Sequence, residues 1–316
     1  MFSDLALCSK KIILITGMTR SGKTILCPII SSLKNCEQFF FNTVVENISV
    51  MNSMKEINFS TADHIIKKGI NENIQDKILG RNLNNKKNDF TSIQNYKNKK
   101  IYLKRINSVK DINFYKSKEL KNNFFPILFH EALFNLKLIE KSFNFPKIVN
   151  ISRHPVDLLS SWLKKNYGGE HYKSPKNTTI TYTFNKKELP FFCVGIEKEI
   201  LKQKTNEDRI IKMINNLNNI FKKNYFKSSN KDNIIIIKYD EFVSNPQRAI
   251  KNICFKFDLK KDKFLKTVLK EQKCPRKIDY KKRDKNYKKF SLKLSNENRI
   301  IFNNMIIKYE NNELTF

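Results

Sequence analysis

Residues 17–24 read GMTRSGKT and match the spacing GxxxxGK[ST] in full. Such a run holds phosphate. Successive backbone N–H groups and a helix N-terminus converge on an anion, and Lys23 adds a full positive charge. Gly17 and Gly22 lack a Cβ, so the backbone can turn tightly and approach the bound group. Thr19, Arg20, Ser21, Gly22, Lys23, Thr24 and Ile25 are the candidate nucleotide-binding residues of this stretch. The pattern specifies a phosphate-bearing nucleotide and leaves the reaction open.

A second run, KIVNISRHPVDLLSSW at 147–162, puts Arg153 at the carboxyl end of a predicted strand. Open α/β sheets bind ligands there. Ser161 lies eight residues on, inside the next predicted helix. A guanidinium and a hydroxyl two turns away can grip one phosphate from two sides. A third run, PILFHEALFNL at 126–136, places His130 and Glu131 just after a short strand. An imidazole with an unperturbed pKa near ~6.5 suits taking a proton from a hydroxyl. Glu131 is the substitute base, and Glu37 and Glu46 are weaker carboxylate candidates. His154, between Arg153 and Pro155, reads as shaping the turn; His64 and His171 have no partner pattern.

These side chains need a frame. Short apolar runs at 12–15, 126–129, 147–152 and 234–238 read as buried parallel strands. Helical patterns follow at 25–33, 43–54, 132–143, 155–166, 208–226, 246–257 and 296–309. A further helix, capped by Ser60 or Thr61, runs to Leu79 and stops at Gly80. Residues 178–193 alternate and turn at 185–187, as a β-hairpin does. Residues 81–100 are polar and read as a surface loop, and 274–290 as a basic loop. Strands alternating with helices predict an α/β fold, a parallel sheet flanked by helices on both faces. Residues 1–316 read as one domain, with surface insertions near 81–100 and 167–193.

Composition narrows the class. The chain has 316 residues, 40% of them hydrophobic, with 25 Phe, enough for a substantial core. No apolar run approaches the ~20 residues of a membrane span. The first residues put their charges in the wrong place for a signal peptide. The six Cys form no CxxC pair and no Cys/His cluster, which fits free thiols in a reducing compartment and no zinc site. The expected setting is cytoplasmic. A net charge of +31 raises the possibility of a nucleic-acid binder. Lys nevertheless outnumbers Arg and is spread along the chain with abundant Asn and Ile, as an AT-rich coding sequence produces. No nucleic-acid-binding motif appears, and the field would steer any anionic ligand toward the protein.

The loop at 17–24, the R-x-P-x-D-x-x-x-S run from Arg153 to Ser161, and IIIIKYDEFVSNPQRAIKNI at 234–253 occur in that order. Together they resemble the sulfotransferase family, over roughly residues 11–310. The resemblance implies a P-loop-containing nucleotide hydrolase-like fold and 3′-phosphoadenosine 5′-phosphosulfate (PAPS) as donor. It implies that the first loop holds the 5′-phosphosulfate and that Arg153 and Ser161 hold the 3′-phosphate. The family loop usually has Thr where Lys23 stands. The C-terminal G-x-x-G-x-W-K signature of the cytosolic animal enzymes is absent, and Arg276 and Lys277 lie in its place. In cytosolic members a His about two dozen residues before the Arg acts as base, and His130 stands 23 residues before Arg153.

The expected reaction is in-line transfer of a sulfuryl group to a hydroxyl or amine of an acceptor, a small molecule or a glycan. Lys23 and the loop would neutralise charge, His130 would take the proton, and no metal would be required. Two alternatives remain at this point. One is an ATP-dependent small-molecule kinase, with Asp240 as its Mg²⁺ ligand. The other is a basic nucleic-acid-binding protein, which would bind any duplex with a steep salt dependence.

Overall fold

The computed structural model describes residues 5–108, 113–170 and 179–316. Its strands are β1 (Ile12–Thr16), β2 (Phe40–Phe41), β3 (Phe125–Leu128), β4 (Lys147–Ser152), β5 (Thr181–Phe184), β6 (Lys187–Pro190) and β7 (Ile234–Lys238). Five form a parallel sheet in the order β2-β3-β1-β4-β7. The central strands β1 and β4 are buried and rich in β-branched residues, as strands covered by helices on both faces are. Side chains alternate across β1: Ile12 and Leu14 join one hydrophobic cluster, Ile13 and Ile15 the other. Trp162 and Phe221 pack in the first cluster, Leu26, Phe242 and Phe257 in the second.

Register brings the functional segments to one edge. Ile15 of β1 pairs with Leu128 of β3, so the loop after β1 and the turn at His130 emerge together. Ser152 of β4 pairs with Lys238 of β7, so Arg153 and Tyr239 leave the sheet side by side.

Several local expectations are corrected. The helix Phe59–Leu79 is capped by Asn58, whose side chain accepts from the Thr61 N–H at 2.9 Å, not by Ser60 or Thr61. Asn58→Ala should therefore cost about 1 kcal/mol in thermal unfolding, and Ser60→Ala almost nothing. Equal losses would put the cap back on Ser60. The basic segment 274–290 is a loop only at its start, because Tyr280–Ser291 is helical with Asp279 as its cap. The polar segment 81–100 contains a 3₁₀ turn, Ile93–Asn95, and the start of a helix, Lys99–Ile106. The hairpin forms from β5 and β6, turning at Asn185 and Lys186 in left-handed conformations. Residues 171–178 of that insertion, His171 included, lie outside the described residues.

Glu37 is structural. It is buried and pairs with both Arg105 Nη atoms at 2.9 Å, while Tyr102 and Asn123 donate to it as well. Burial opposes its charge, yet the Arg105 hydrogen bonds and charge hold its carboxyl below the usual range.

Candidate active site

The loop after β1 begins with Gly17 at φ +140, where an added Cβ would meet the Ile151 carbonyl at 2.2 Å. Gly22, at φ +117, has no room either: the Tyr239 ring stands 2.5 Å from the Cβ position. Both glycines are required by close approach. Trp162 Nε1 donates to the Thr19 carbonyl at 2.9 Å and fixes the loop from the side of the Arg153–Ser161 helix.

The two cations of the loop have different surroundings. Lys23 is buried, and its ammonium donates to the carbonyls of Gly17 (2.5 Å) and Met18 (2.7 Å). Burial lowers its pKa, opposed by the charges of Glu131 and Glu46. Arg20 is exposed, in a left-handed conformation, and its Nε donates to Ser161 Oγ at 3.0 Å. Arg20, not Lys23, is thus the loop cation that reaches the solvent side. Ile25 packs into the second core cluster.

Two cavities flank the loop. The first, of about 350 Å³, is lined by Arg20, Arg153, Ser161, Tyr239, Arg276 and Lys277 among others. Arg153 Nη1 donates to the Arg20 carbonyl at 2.8 Å, and its guanidinium lies 5.0 Å from the centre of the Tyr239 ring. Arg276 reaches the Tyr239 hydroxyl at 3.4 Å. Five sequence-predicted residues, Arg20, Arg153, Ser161, Arg276 and Lys277, meet here although they come from three distant stretches of the chain.

The second cavity, of about 220 Å³, is lined by Thr19, Glu46, His130, Glu131, Tyr167 and Phe192 among others. Glu46 stands in the first turn of the helix Thr43–Ser53, which Asn42 caps. It accepts from the His130 backbone N–H at 2.6 Å and lies 3.2 Å from Nδ1 through both carboxylate oxygens. Phe41 of β2 meets the imidazole edge-on at 5.3 Å. The ring is 30% exposed, and Nε2 is left unengaged among the described residues. Burial, helped by the Lys23 charge and opposed by Glu131, lowers the His130 pKa to about 4. Burial raises that of Glu46 well above the carboxylate range, against the pull of the His130 N–H and Lys23.

Glu131 is committed elsewhere. It is buried, in a left-handed conformation, and its carboxylate accepts the Thr19 backbone N–H. Burial raises its pKa, and the Lys23 charge opposes that rise. Glu131 therefore braces the loop, while His130 presents a free nitrogen to the cavity.

Thr24 opens onto a third cavity, beside Phe90, Tyr96 and Gln272. The 81–100 insertion therefore lines a different cavity from His130, whereas Phe191 and Phe192, just after β6, line the His130 cavity. Sequence reasoning missed three contributors: Trp162, Tyr239 and the contact of Glu46 with His130. Tyr239 carried a usable signal, since it follows directly on the apolar strand β7. Among the described residues, no three His, Cys, Asp or Glu side chains cluster as a metal site.

The family profile of the sulfotransferase domain matches residues 10–298. The chain belongs to the sulfotransferase family. Two solved structures are similar to this sulfotransferase. The sulfotransferase domain from the curacin biosynthetic pathway is 12% identical, covering 80% of this chain and 76% of that one, with a TM-score of 0.40. The sulfotransferase domain from the Synechococcus PCC 7002 olefin synthase is 13% identical, covering 80% and 75%, with a TM-score of 0.41. No curated protein matches the chain. Membership assigns the enzyme to sulfuryl transfer in place of the kinase and nucleic-acid alternatives. The sulfotransferase also uses Asp240 otherwise than a kinase would, in a 2.9 Å ion pair with Arg283. No helix among its described residues is long and apolar enough to cross a membrane.

Proposed function

We propose that this sulfotransferase takes PAPS as donor and a hydroxyl- or amine-bearing acceptor, with His130 as the base. The observation that carries the donor reading is the cavity where Arg20, Arg153, Ser161, Arg276 and Lys277 converge beside the loop. Arg153 Nε of that cavity and Ser21 Oγ, buried within the neighbouring loop, have no partner among the described residues. Buried polar groups are rarely left so, and a phosphate oxygen suits both.

Arg20 and the backbone N–H groups of the loop at 19–25, which Lys23 braces, would hold the 5′ side, and Arg153 with Ser161 the 3′-phosphate. Arg276 and Lys277 add positive charge from the opposite wall. The donor supplies an activated sulfuryl group. Arg20 meets the charge that develops on the transferred group and the leaving phosphate, with Lys23 acting through the loop it braces. With Glu46 ionised, a proton held at His130 Nδ1 faces a carboxylate, and Nε2 is open to take the acceptor's proton. Glu46 then stabilises the imidazolium that forms.

The polar lining of the His130 cavity favours a hydroxylated acceptor, a sugar of a glycan among them. The six unpaired thiols support a reducing, cytoplasmic setting.

Calorimetric titration tests the donor. We expect 3′,5′-adenosine bisphosphate to bind without metal and clearly tighter than AMP. Equal affinity for the two, or binding of ATP that requires Mg²⁺, would overturn the reading.

A further inference from the structure

The helix Tyr280–Ser291 is almost entirely exposed, and Arg283 is the one buried residue between Lys277 and Lys289. Its guanidinium is shared by two carboxylates from different elements. Nη1 lies 2.9 Å from Asp240 Oδ2 and Nη2 3.0 Å from Asp240 Oδ1. Nε and Nη2 reach Asp157 Oδ2 at 3.2 and 2.6 Å. Asp157 opens the helix Pro155–Leu163, which carries Ser161. Asp240 opens the helix Tyr239–Ser244, whose Tyr239 ring stacks on Arg153 and blocks any side chain at Gly22. One planar fork therefore joins three elements, and those three wall the Arg153 cavity.

Nearer the start of the segment the Arg276 N–H donates to the Val243 carbonyl at 2.7 Å. Beyond it Ile278 packs on the second core cluster, and Tyr287 and Phe290 hold the end of the helix to the first. Lys277, Lys282 and Asn286 line the cavity between these points, and Arg283 is the side chain of the helix that bonds to both Asp157 and Asp240.

We propose that Arg283 is a positioning residue for donor selection: it ties the helix Tyr280–Ser291 to both walls of the cavity, so that Lys277 and Lys282 stand over the donor's 3′-phosphate. This rests on the donor reading above. Arg283 touches no donor group itself. It also balances Asp157 and Asp240, whose bare charges would otherwise repel a phosphate.

The test is calorimetry on the full chain with 3′,5′-adenosine bisphosphate and AMP. Arg283→Met should weaken bisphosphate binding by about tenfold or more and AMP binding by under about threefold. Arg283→Lys keeps the charge but loses the fork, so it should also lose selectivity. Full selectivity in Arg283→Lys would mean that charge balance alone matters and would overturn the tie. Loss of both ligands to the same extent would reduce Arg283 to general stability. Where Arg283→Met fails to fold, Asp240→Asn removes one arm of the fork; retained selectivity there overturns the proposal. A wild-type chain that binds AMP and bisphosphate equally sinks the donor reading itself. Wild-type preference that survives these substitutions sinks this inference alone.

Discussion

His130→Ala should lower kcat by about 10²–10⁴ while leaving the affinity for 3′,5′-adenosine bisphosphate nearly unchanged. The imidazole lines the polar cavity beside Thr19, apart from the cavity of Arg153 and Ser161, so removing it disturbs the acceptor step and spares the nucleotide. Glu46 gives the prediction a second arm. Imidazole and carboxylate share their protons, so the pH limb belongs to the pair rather than to either group. The base is competent once the pair has lost its last proton, which makes kcat rise with pH. Glu46→Gln removes a negative charge from beside the ring. The last proton of the pair is lost with the carboxylate that held it, only the His130 ionisation that burial already sets low is left, and the ascending limb should move to lower pH. His130→Ala should abolish that limb. A limb that stays in place in Glu46→Gln would mean the carboxylate does not feel the imidazole. Full activity in His130→Ala with loss in Glu131→Ala would move the base to the neighbouring carboxylate. A screen of sulfate transfer to simple sugars and glycans supplies the acceptor these rates need.

Arg153→Ala should cost bisphosphate binding about 2–4 kcal/mol, roughly 30- to 1000-fold, and AMP much less. The guanidinium combines a hydrogen bond to the Arg20 carbonyl, a face against Tyr239 and a buried Nε without a partner. Arg153→Lys retains the charge but cannot reproduce that planar geometry, so an intermediate loss is expected. Titration of each variant with both nucleotides measures the effect. A preference for the bisphosphate that survives Arg153→Ala would place the 3′-phosphate on Arg276 and Lys277 instead.

What the sequence revealed follows from the range of the forces involved. Strands β4 and β7 and the helix Pro246–Phe257 have the bounds their apolar patterns predict, because burial writes a local period into the chain. The helix Tyr280–Ser291 was hidden for the opposite reason: it buries Arg283 and Phe290 and shows no apolar stripe. Asn58 was passed over because Ser60 and Thr61, inside the same turn, are equally good caps by type. The Glu46–His130 contact spans 84 positions and that of Glu37 with Arg105 spans 68. Both carboxylates looked alike in sequence, and only packing made one structural and set the other beside the imidazole. The Lys of the loop drew attention through its spacing, while Arg20 took the solvent-facing place through a backbone conformation that spacing does not encode.

The parallel sheet is complete once Lys238 of β7 has paired with Ser152. The Arg153 cavity is not, because its far wall extends to Asn286. A chain that stops at β7 lacks that wall, and it also lacks Phe242, Ile250 and Phe257, which cover one face of the sheet. Ligand can add stability only to a conformation able to bind it. A nucleotide held in that cavity should therefore stabilise only chains made through Asn286. A chain that ends before Lys277 should show no rise in unfolding temperature when the bisphosphate is added.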